Sequence, residues 1–419
     1  MMSEKKLNLI ILIFLFLVPL FSILLNNIYI TTLFSKIVIL AIAGIGLNLI
    51  LGYGGMVSFG HAAFFGLGGY VTGILAFHFN NFEPIQILVF EFEGTNQLLF
   101  VWIFTLIFSS LLALFIGYFS LRTTGVYFIM ITLAFAQMLY YFSISWPTYG
   151  GEDGLSLSLR NQIPFFNTMD PITFFYICYV WLIITIIFVK FILNSPLGIS
   201  LKASKENEDR VRSVGINPKK VKLISFIISG AITGLAGSLY ADLNRFVSPT
   251  ILSWQMSGEI MILVILGGMF RLYGPILGAF FYIILEQFLG GITENWQFWL
   301  GFIILLEVLY AKVDVPVWKT SPSYPPQALF GDIQYMPADH PGLVAMAEQY
   351  SQFDKYVNVQ LDEDGAAIDG TGEGATFYGR IAGVTGYLGS GIGRQAKREY
   401  DTYRVAASFD GEFDNGIGW

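Results

Sequence analysis

Charge is scarce in this sequence. Asp, Glu, Lys and Arg make up 13% of its 419 residues, against roughly one quarter in an ordinary soluble domain. That scarcity excludes a chain that covers itself in solvated side chains. Cysteine is scarcer still. Cys178 stands alone, so no intrachain disulfide can form, and its apolar surroundings mark it as a small lipid- or helix-facing residue. His61 is the one imidazole of a glycine-rich stretch and has no carboxylate near it in sequence. A lone imidazole makes neither a metal site nor a proton relay. No metal and no nucleic-acid partner is expected.

What the sequence has instead is apolar length, with 55% hydrophobic residues. Runs such as "LNLIILIFLFLVPLFSILL" (7–25) and "FFYICYVWLIITIIFV" (174–189) approach the roughly 20 residues that carry a helix across a bilayer. Lys5 and Lys6 precede the first run as in a signal peptide. That run is long and lacks a clear small-residue cleavage site, so it reads as a retained helix. The fold class is an all-α polytopic membrane protein of about ten transmembrane helices. The segments fall near 7–26, 28–51, 57–79, 97–120, 123–143, 172–193, 222–243, 256–271, 274–291 and 296–311. The third is rich in glycine and expected to be kinked, and the last three are short.

Lys and Arg collect in cytoplasmic loops. With the N-terminus inside, ten crossings put Arg122, Lys190, the 194–222 loop, Arg271 and Lys312 on the cytoplasmic side. Connections 80–96 and 144–171 then face outward, with Arg160 as their only base against six acidic residues. Both termini are expected in the cytoplasm. Charge also divides the chain. Residues 1–312 carry 16 Lys and Arg against 15 Asp and Glu, and residues 313–419 carry 7 against 15. The first part reads as a transmembrane domain and the second as a cytoplasmic, acidic, Gly-rich tail, disordered or fused.

One compact charged block interrupts the apolar sequence: "SLKASKENEDRVRSVGINPKK", 200–220. Ser195-Pro196 has the form of an N-cap followed by proline in the first helical turn. Gly215 suits a helix end with positive φ, and Asn217-Pro218 repeats the cap signal. Glu206/Arg210 and Glu208/Arg212 stand at i,i+4 in the favourable order. Two short helical pieces outside the bilayer are expected. The plainer alternative is a solvated loop whose lysines only fix topology.

A second unusual stretch is "LNLILGYGGMVSFGHAAFFGLGGYVTG", 47–73. Gly52, Gly54 and Gly55 form a break where the backbone can turn. Ala62/Gly66 and Gly69/Gly73 are small residues four apart, which lets helices approach closely. The candidate packing or pathway residues are Gly54, Gly55, Ser58, His61, Gly66 and Gly69, joined by Gly267 and Gly268. For His61 a neutral, hydrogen-bonded packing role is favoured over a pathway role.

Five blocks in order resemble a known family: "GYGGMVSFGHAAFFGLGGY", "TTGVYFIMITLAFAQM", "SPLGISLKASKENEDRVRSVGIN", "KLISFIISGAITGLAGSLYA" and "EIMILVILGGMFRLYGPILGAF". They look like the M-type permease subunit of branched-chain amino-acid ABC importers, over about residues 35–311. The resemblance implies a non-enzymatic transporter subunit of a bacterial or archaeal inner membrane. It also implies a homologous permease partner, two cytoplasmic ATPase subunits that bind ATP and Mg, and an extracytoplasmic binding protein. It implies no cofactor in this chain. Membrane lipid is the remaining partner. Ser195, Pro196, Gly198, Ala203, Glu206, Asn207, Glu208, Gly215, Ile216 and Asn217 match the family's ATPase-coupling loop. Ile199 replaces its usual Arg. Urea and short-chain amide importers use close relatives of this subunit, so those substrates stay open. A secondary transporter or channel is the rival from another class. Its membrane acids would be Glu259, Glu286 and Glu307, none with an evident basic partner in sequence.

The resemblance ends at Lys312. In the tail, "GYLGSGIGRQAK" (386–397) lacks the spacing of a phosphate loop, and "DEDG" (362–365) lacks the further ligands of a calcium loop. One amphipathic helix is expected at 341–357.

Overall fold

The computed structural model describes residues 4–310, apart from 83, 88, 89, 165 and 294, and beyond them the short pairs 335–336, 360–361, 367–368 and 375–376. The amphipathic helix expected at 341–357 and the question of the tail's order lie outside the described residues. The chain divides into two compact units, Met1–Phe302 and Ile303–Trp419. Within the second, Tyr335–Met336 pairs with Ala375–Thr376, and Gln360–Leu361 pairs with Ala367–Ile368.

The first unit is helical. Its elements are α1 (Glu4–Leu24), α2 (Ile28–Asn48), α3 (His61–Asn81), α4 (Leu98–Ser120), α5 (Val126–Ile144), α6 (Pro171–Asn194), α7 (Pro196–Glu206), α8 (Glu208–Ser213), α9 (Pro218–Asn244), α10 (Trp254–Gly267) and α11 (Gly274–Ile292). Helix α12 (Trp296–Tyr310) follows. Seven helices among the described residues are long and apolar enough to cross a membrane: α2 with its extension to Tyr53, α3, α4, α5, α6, α9 and α11. Helices α1 and α10 contribute shorter apolar stretches. The ten expected segments all appear as helices, and ten is an approximate count of crossings. This is a multi-pass membrane protein.

Helix α9 sits at the centre and packs on α2, α3 and α4. The packing inverts the pattern of a soluble bundle. On α4 the bulky Ile103, Ile107, Leu111 and Phe115 are exposed, while Thr105, Ser109, Ala113 and Gly117 are buried. Lipid is as apolar as leucine, so bulk gains nothing by facing inward, and small residues let backbones close up. A Cβ on Gly230 would lie 2.6 Å from the Ala113 methyl. A Cβ on Gly68 would strike the Gly234 carbonyl, and one on Gly237 would strike the Phe65 carbonyl.

Gly66 and Gly69, expected to let another helix approach, instead face a short helical turn at Pro249–Leu252. A Cβ on Gly66 would collide with Leu252, and one on Gly69 would lie 2.8 Å from Ile251 Cδ1. The helix-to-helix approach belongs to Gly68, Gly234 and Gly237. The break expected around the third helix falls ahead of it. Residues 49–53 form one wide π turn at the end of α2, and α3 restarts at His61.

At the end of the bundle opposite α7 and α8, two connections meet. Leu155–Ser156 pairs antiparallel with Phe246–Val247. Arg160 is buried there, and its guanidinium donates to the carbonyls of Asp242 at 3.0 Å, Leu243 at 3.2 Å and Thr168 at 3.2 Å. Asn161 donates its side-chain amide to Asp242 Oδ1 at 2.8 Å. The bonds to Asp242 O and Leu243 O satisfy carbonyls left over where α9 ends.

Candidate functional site

The charged block forms the two helices expected of it, α7 and α8, and its caps explain where they start and stop. Asn217 Oδ1 accepts from the amides of Lys219 at 3.1 Å and Lys220 at 3.4 Å, with Pro218 following. Asn207 does the same for α8, accepting from Asp209 N at 3.0 Å and Arg210 N at 3.1 Å. Gly215 has φ +85°, which a residue with a Cβ adopts only with strain. Ser195 stands at the N-cap with Pro196 next, but its hydroxyl donates back to Ile192 O at 2.6 Å and not to the new helix.

One expected pair is absent. Asn207 is extended, at φ −159° and ψ 109°, so Glu206 ends one helix while Arg210 lies in the next. The i,i+4 rule holds only along a continuous helix. Among the described residues no ion pair joins Glu206 to Arg210. Glu208 does meet Arg212, at 3.3 Å, and also takes the ammonium of Lys222 on α9. That second contact ties α8 to a transmembrane helix.

Helix α7 turns Gly198, Ser200, Leu201 and Ser204 inward. A Cβ on Gly198 would collide with the end of α6. Leu201 is fully buried, and its Cδ1 would lie 3.2 Å from a Cβ on Gly54. The outward side carries Ala203, Glu206 and Asn207, with Ile199, Val214 and Ile216 also exposed. Exposed aliphatic side chains on a charged element are what a protein partner would cover.

Beneath α7 lie the glycine break and a second turn. Gly55 has φ +67° and packs on the stem of Lys205, whose Cγ would lie 2.8 Å from a Cβ there. Lys205 Nζ donates to Gly52 O at 3.3 Å and lies 3.6 Å from the centre of the Phe270 ring. Desolvation pulls the Lys205 ammonium below the ordinary lysine value, and Glu206 pulls it the other way. Phe270 belongs to the turn between α10 and α11. The apolar pattern predicts a helix to 271; the structure ends it at Gly267, with Gly268 at φ +94°. A Cβ on Gly267 would collide with Gly274, so α10 and α11 touch backbone to backbone. Asn48 Nδ2 donates to Arg271 O at 2.9 Å, fastening this turn to α2.

His61 and Ser58 sit apart from that junction. His61 is fully buried between Phe64 and Phe226. Its Nε2 is 2.9 Å from Ser229 Oγ, and its Nδ1 is 3.3 Å from Ser58 Oγ. Ser229 in turn donates to Gly46 O at 2.5 Å. Both ring nitrogens are partnered, so the imidazole ties α3, α9 and α2 together. Ser257 adds a further tie, donating to Phe59 O at 2.6 Å and accepting from Ala62 N at 2.8 Å. These bonds seat the start of α3.

Among the membrane acids, Glu286 proves to have a basic partner. Lys36 Nζ on α2 lies 2.9 Å from Glu286 Oε2 and 3.2 Å from Oε1. The pair is 250 residues apart in sequence, so no local signal could reveal it. Glu259 interacts electrostatically with both. The described residues contain no group of three or more His, Cys, Asp or Glu able to hold a metal.

Comparisons with known proteins fit this architecture. A family model described as the permease component of the branched-chain amino acid transport system matches residues 29–309. The high-affinity branched-chain amino acid transport system permease protein LivM of Escherichia coli (strain K12) is 26% identical over 302 residues, which is 64% of this chain and 65% of that protein. The chain thus spans just under two thirds of that relative's length. The probable branched-chain amino acid transport permease protein LivH of Methanocaldococcus jannaschii is 29% identical over 121 residues, covering 28% of this chain and 36% of that protein. The autoinducer 2 import system permease protein LsrC of Photorhabdus laumondii is 27% identical over 143 residues, covering 31% and 42%. No solved structure matches. With its family model covering most of the membrane helices described above, the chain belongs to the family of branched-chain amino acid transport system permease components.

Proposed function

We propose that this chain is the M-type permease subunit of an ABC importer that moves branched-chain amino acids into the cytoplasm. The observation that carries the reading is the α7–α8 block. In an otherwise apolar chain it is a capped, two-helix element with buried Leu201 on its inner side and exposed Ile199, Glu206, Val214 and Ile216 on its outer side. A loop serving only to fix topology needs lysines but no such shape. In this reading the block is the coupling element, it lies in the cytoplasm with both termini, and residues 80–96 and 144–171 face outward. Two ATPase subunits dock beneath it with their ATP and Mg. A homologous permease completes the pathway, and an extracytoplasmic binding protein delivers substrate.

The relatives include an autoinducer 2 import permease beside the branched-chain ones. Urea and short-chain amides remain the alternative cargo. The Lys36–Glu286 pair is the feature a secondary transporter would use.

Reconstitution with the two ATPases, the partner permease and the binding protein tests the reading. Leucine uptake should require ATP, and loaded binding protein should stimulate hydrolysis. Uptake that persists without ATP would favour the secondary transporter. Glu206→Lys makes the loop more positive, so topology should hold, while ATPase binding or stimulation should weaken. Wild-type stimulation in that variant would return the block to a topology signal.

A further inference from the structure

We propose that Lys205 is the positioning residue that carries movement of the α7–α8 block into the membrane helices, by holding the end of α2 and the α10–α11 turn as one unit. The inference rests on the functional reading above, since it assumes that ATPase subunits move this block.

Three features of the junction point to it. First, Gly52 O lies in the π turn that ends α2. Carbonyls at a helix end lack intrahelical donors, and a cation beside them is favoured by the helix dipole. Lys205 supplies both the proton and the charge, from a different helix. Second, the same ammonium lies 3.6 Å from the centre of the Phe270 ring, within cation–π range. Phe270 has φ +70°, a left-handed conformation that is strained for a side chain of this size. Strain of this kind persists where the surroundings hold it, and here it keeps the ring beside the ammonium. Third, Gly55 at φ +67° leaves room for the lysine stem, which a Cβ would remove.

The neighbouring contacts each span two elements. Asn48 links α2 to the turn at Arg271 O. Lys202 reaches only the Tyr53 ring, at 5.4 Å. Among the described hydrogen bonds, ion pairs and cation–π contacts, Lys205 is the one side chain of α7 that reaches both α2's end and the turn. Glu206, next in sequence, is exposed on the block's outer side. Of these two adjacent exposed residues, Lys205 is the one that reaches back to the helix ends.

The arrangement suits a moving link. Lys205 and Phe270 are exposed while Gly52 is buried, so water can replace the ring contact and the lysine can re-form it, with the part-buried bond to Gly52 O as the anchor. Its loss should change stability little. What it sets is whether α7, α2 and the turn move together.

The test uses the complete reconstituted complex, measuring leucine transported per ATP hydrolysed. Three variants are compared: Lys205→Met keeps the stem without charge, Lys205→Arg keeps charge and ring contact, and Phe270→Leu removes the ring. Lys205→Met should assemble with basal hydrolysis near wild type while transport per ATP falls roughly tenfold, within the usual range of coupling between sites. Phe270→Leu should fall in the same direction, and Lys205→Arg should restore most of the ratio. A wild-type ratio in Lys205→Met and Phe270→Leu would overturn the proposal. So would hydrolysis and transport falling together at a constant ratio, which would make Lys205 a docking residue. Should Lys205→Met fail to assemble, Phe270→Leu decides alone, because it leaves α7 unaltered. A wild-type complex with no ATP-dependent uptake would sink the functional reading itself and is distinct from either result.

Discussion

At the end formed by residues 155–170 and 242–247, a buried Arg160 donates to three backbone carbonyls. At the opposite end an exposed Lys205 donates to one and leans on a ring. Both are basic side chains satisfying carbonyls near helix ends, yet they do opposite things. A carbonyl buried away from water must keep its donor or lose free energy. The Lys205 bond is only part-buried and its donor is exposed, so it costs less to give up. The first end is therefore expected to hold its shape, and the second to rearrange more readily. A transporter needs both, because a moving part works only against a part that stays still.

A graded series of substitutions would break or sharpen this contrast. The largest effect is expected in the core that joins the two ends. Gly237→Leu drives a side chain into the Phe65 carbonyl, and should cost on the order of 3 kcal/mol or more, enough to abolish a folded monodisperse peak in detergent. Gly258→Ala, with nothing within 4 Å of the new carbon, should leave stability unchanged or raise it by up to about 1 kcal/mol. Similar behaviour of the two would show that α3 and α9 are not packed as described.

Arg160→Met comes next. It leaves three buried carbonyls without this donor, at ~1–3 kcal/mol for each that finds no other, so a loss of about 3 kcal/mol is expected in thermal unfolding. A loss below about 1 kcal/mol would mean that this end is wetter and looser than its geometry indicates. Lys222→Met removes the tie between α8 and α9, whose partners are only partly buried. It should cost about 0.5–1 kcal/mol, and much of that should vanish in high salt. Coupling energy from a double-mutant cycle with Glu208→Gln is the check. The smallest stability change, within about 0.5 kcal/mol, is expected for Lys205→Met, alongside the proposed fall in transport per ATP. A stability loss matching that of Arg160→Met would erase the contrast between the ends.

The helices were legible because their signals are local. Apolar length marks a span whatever surrounds it, and Asn217-Pro218 and Gly215 punctuate the charged block through bonds within three residues. The site was half legible. Gly52, Gly54 and Gly55 announced a break, and the family pattern picked out Glu206 and Asn207. Lys205 is one of six basic residues in the 200–220 block and carries no local signal of its own. The pattern Gly230, Gly234 and Gly237 was available as a packing signal, since small residues recurring on one helix face permit close approach. It pointed to α9, yet not to which helix would meet it. Gly66 and Gly69 carried an equal signal and met a loop turn instead.

By itself, then, the sequence determined that the chain is a multi-pass helical membrane protein, where most helices begin and end, and that residues 195–217 form a capped block unlike the rest. These follow from hydropathy, caps and backbone preferences, which act over a few residues. Only the tertiary structure decided that Lys36 pairs with Glu286, that His61 meets Ser229, and that Lys205 joins Gly52 to Phe270. Each of these unites residues distant in the chain. Such pairings depend on how the helices pack, and packing is set by all the contacts at once.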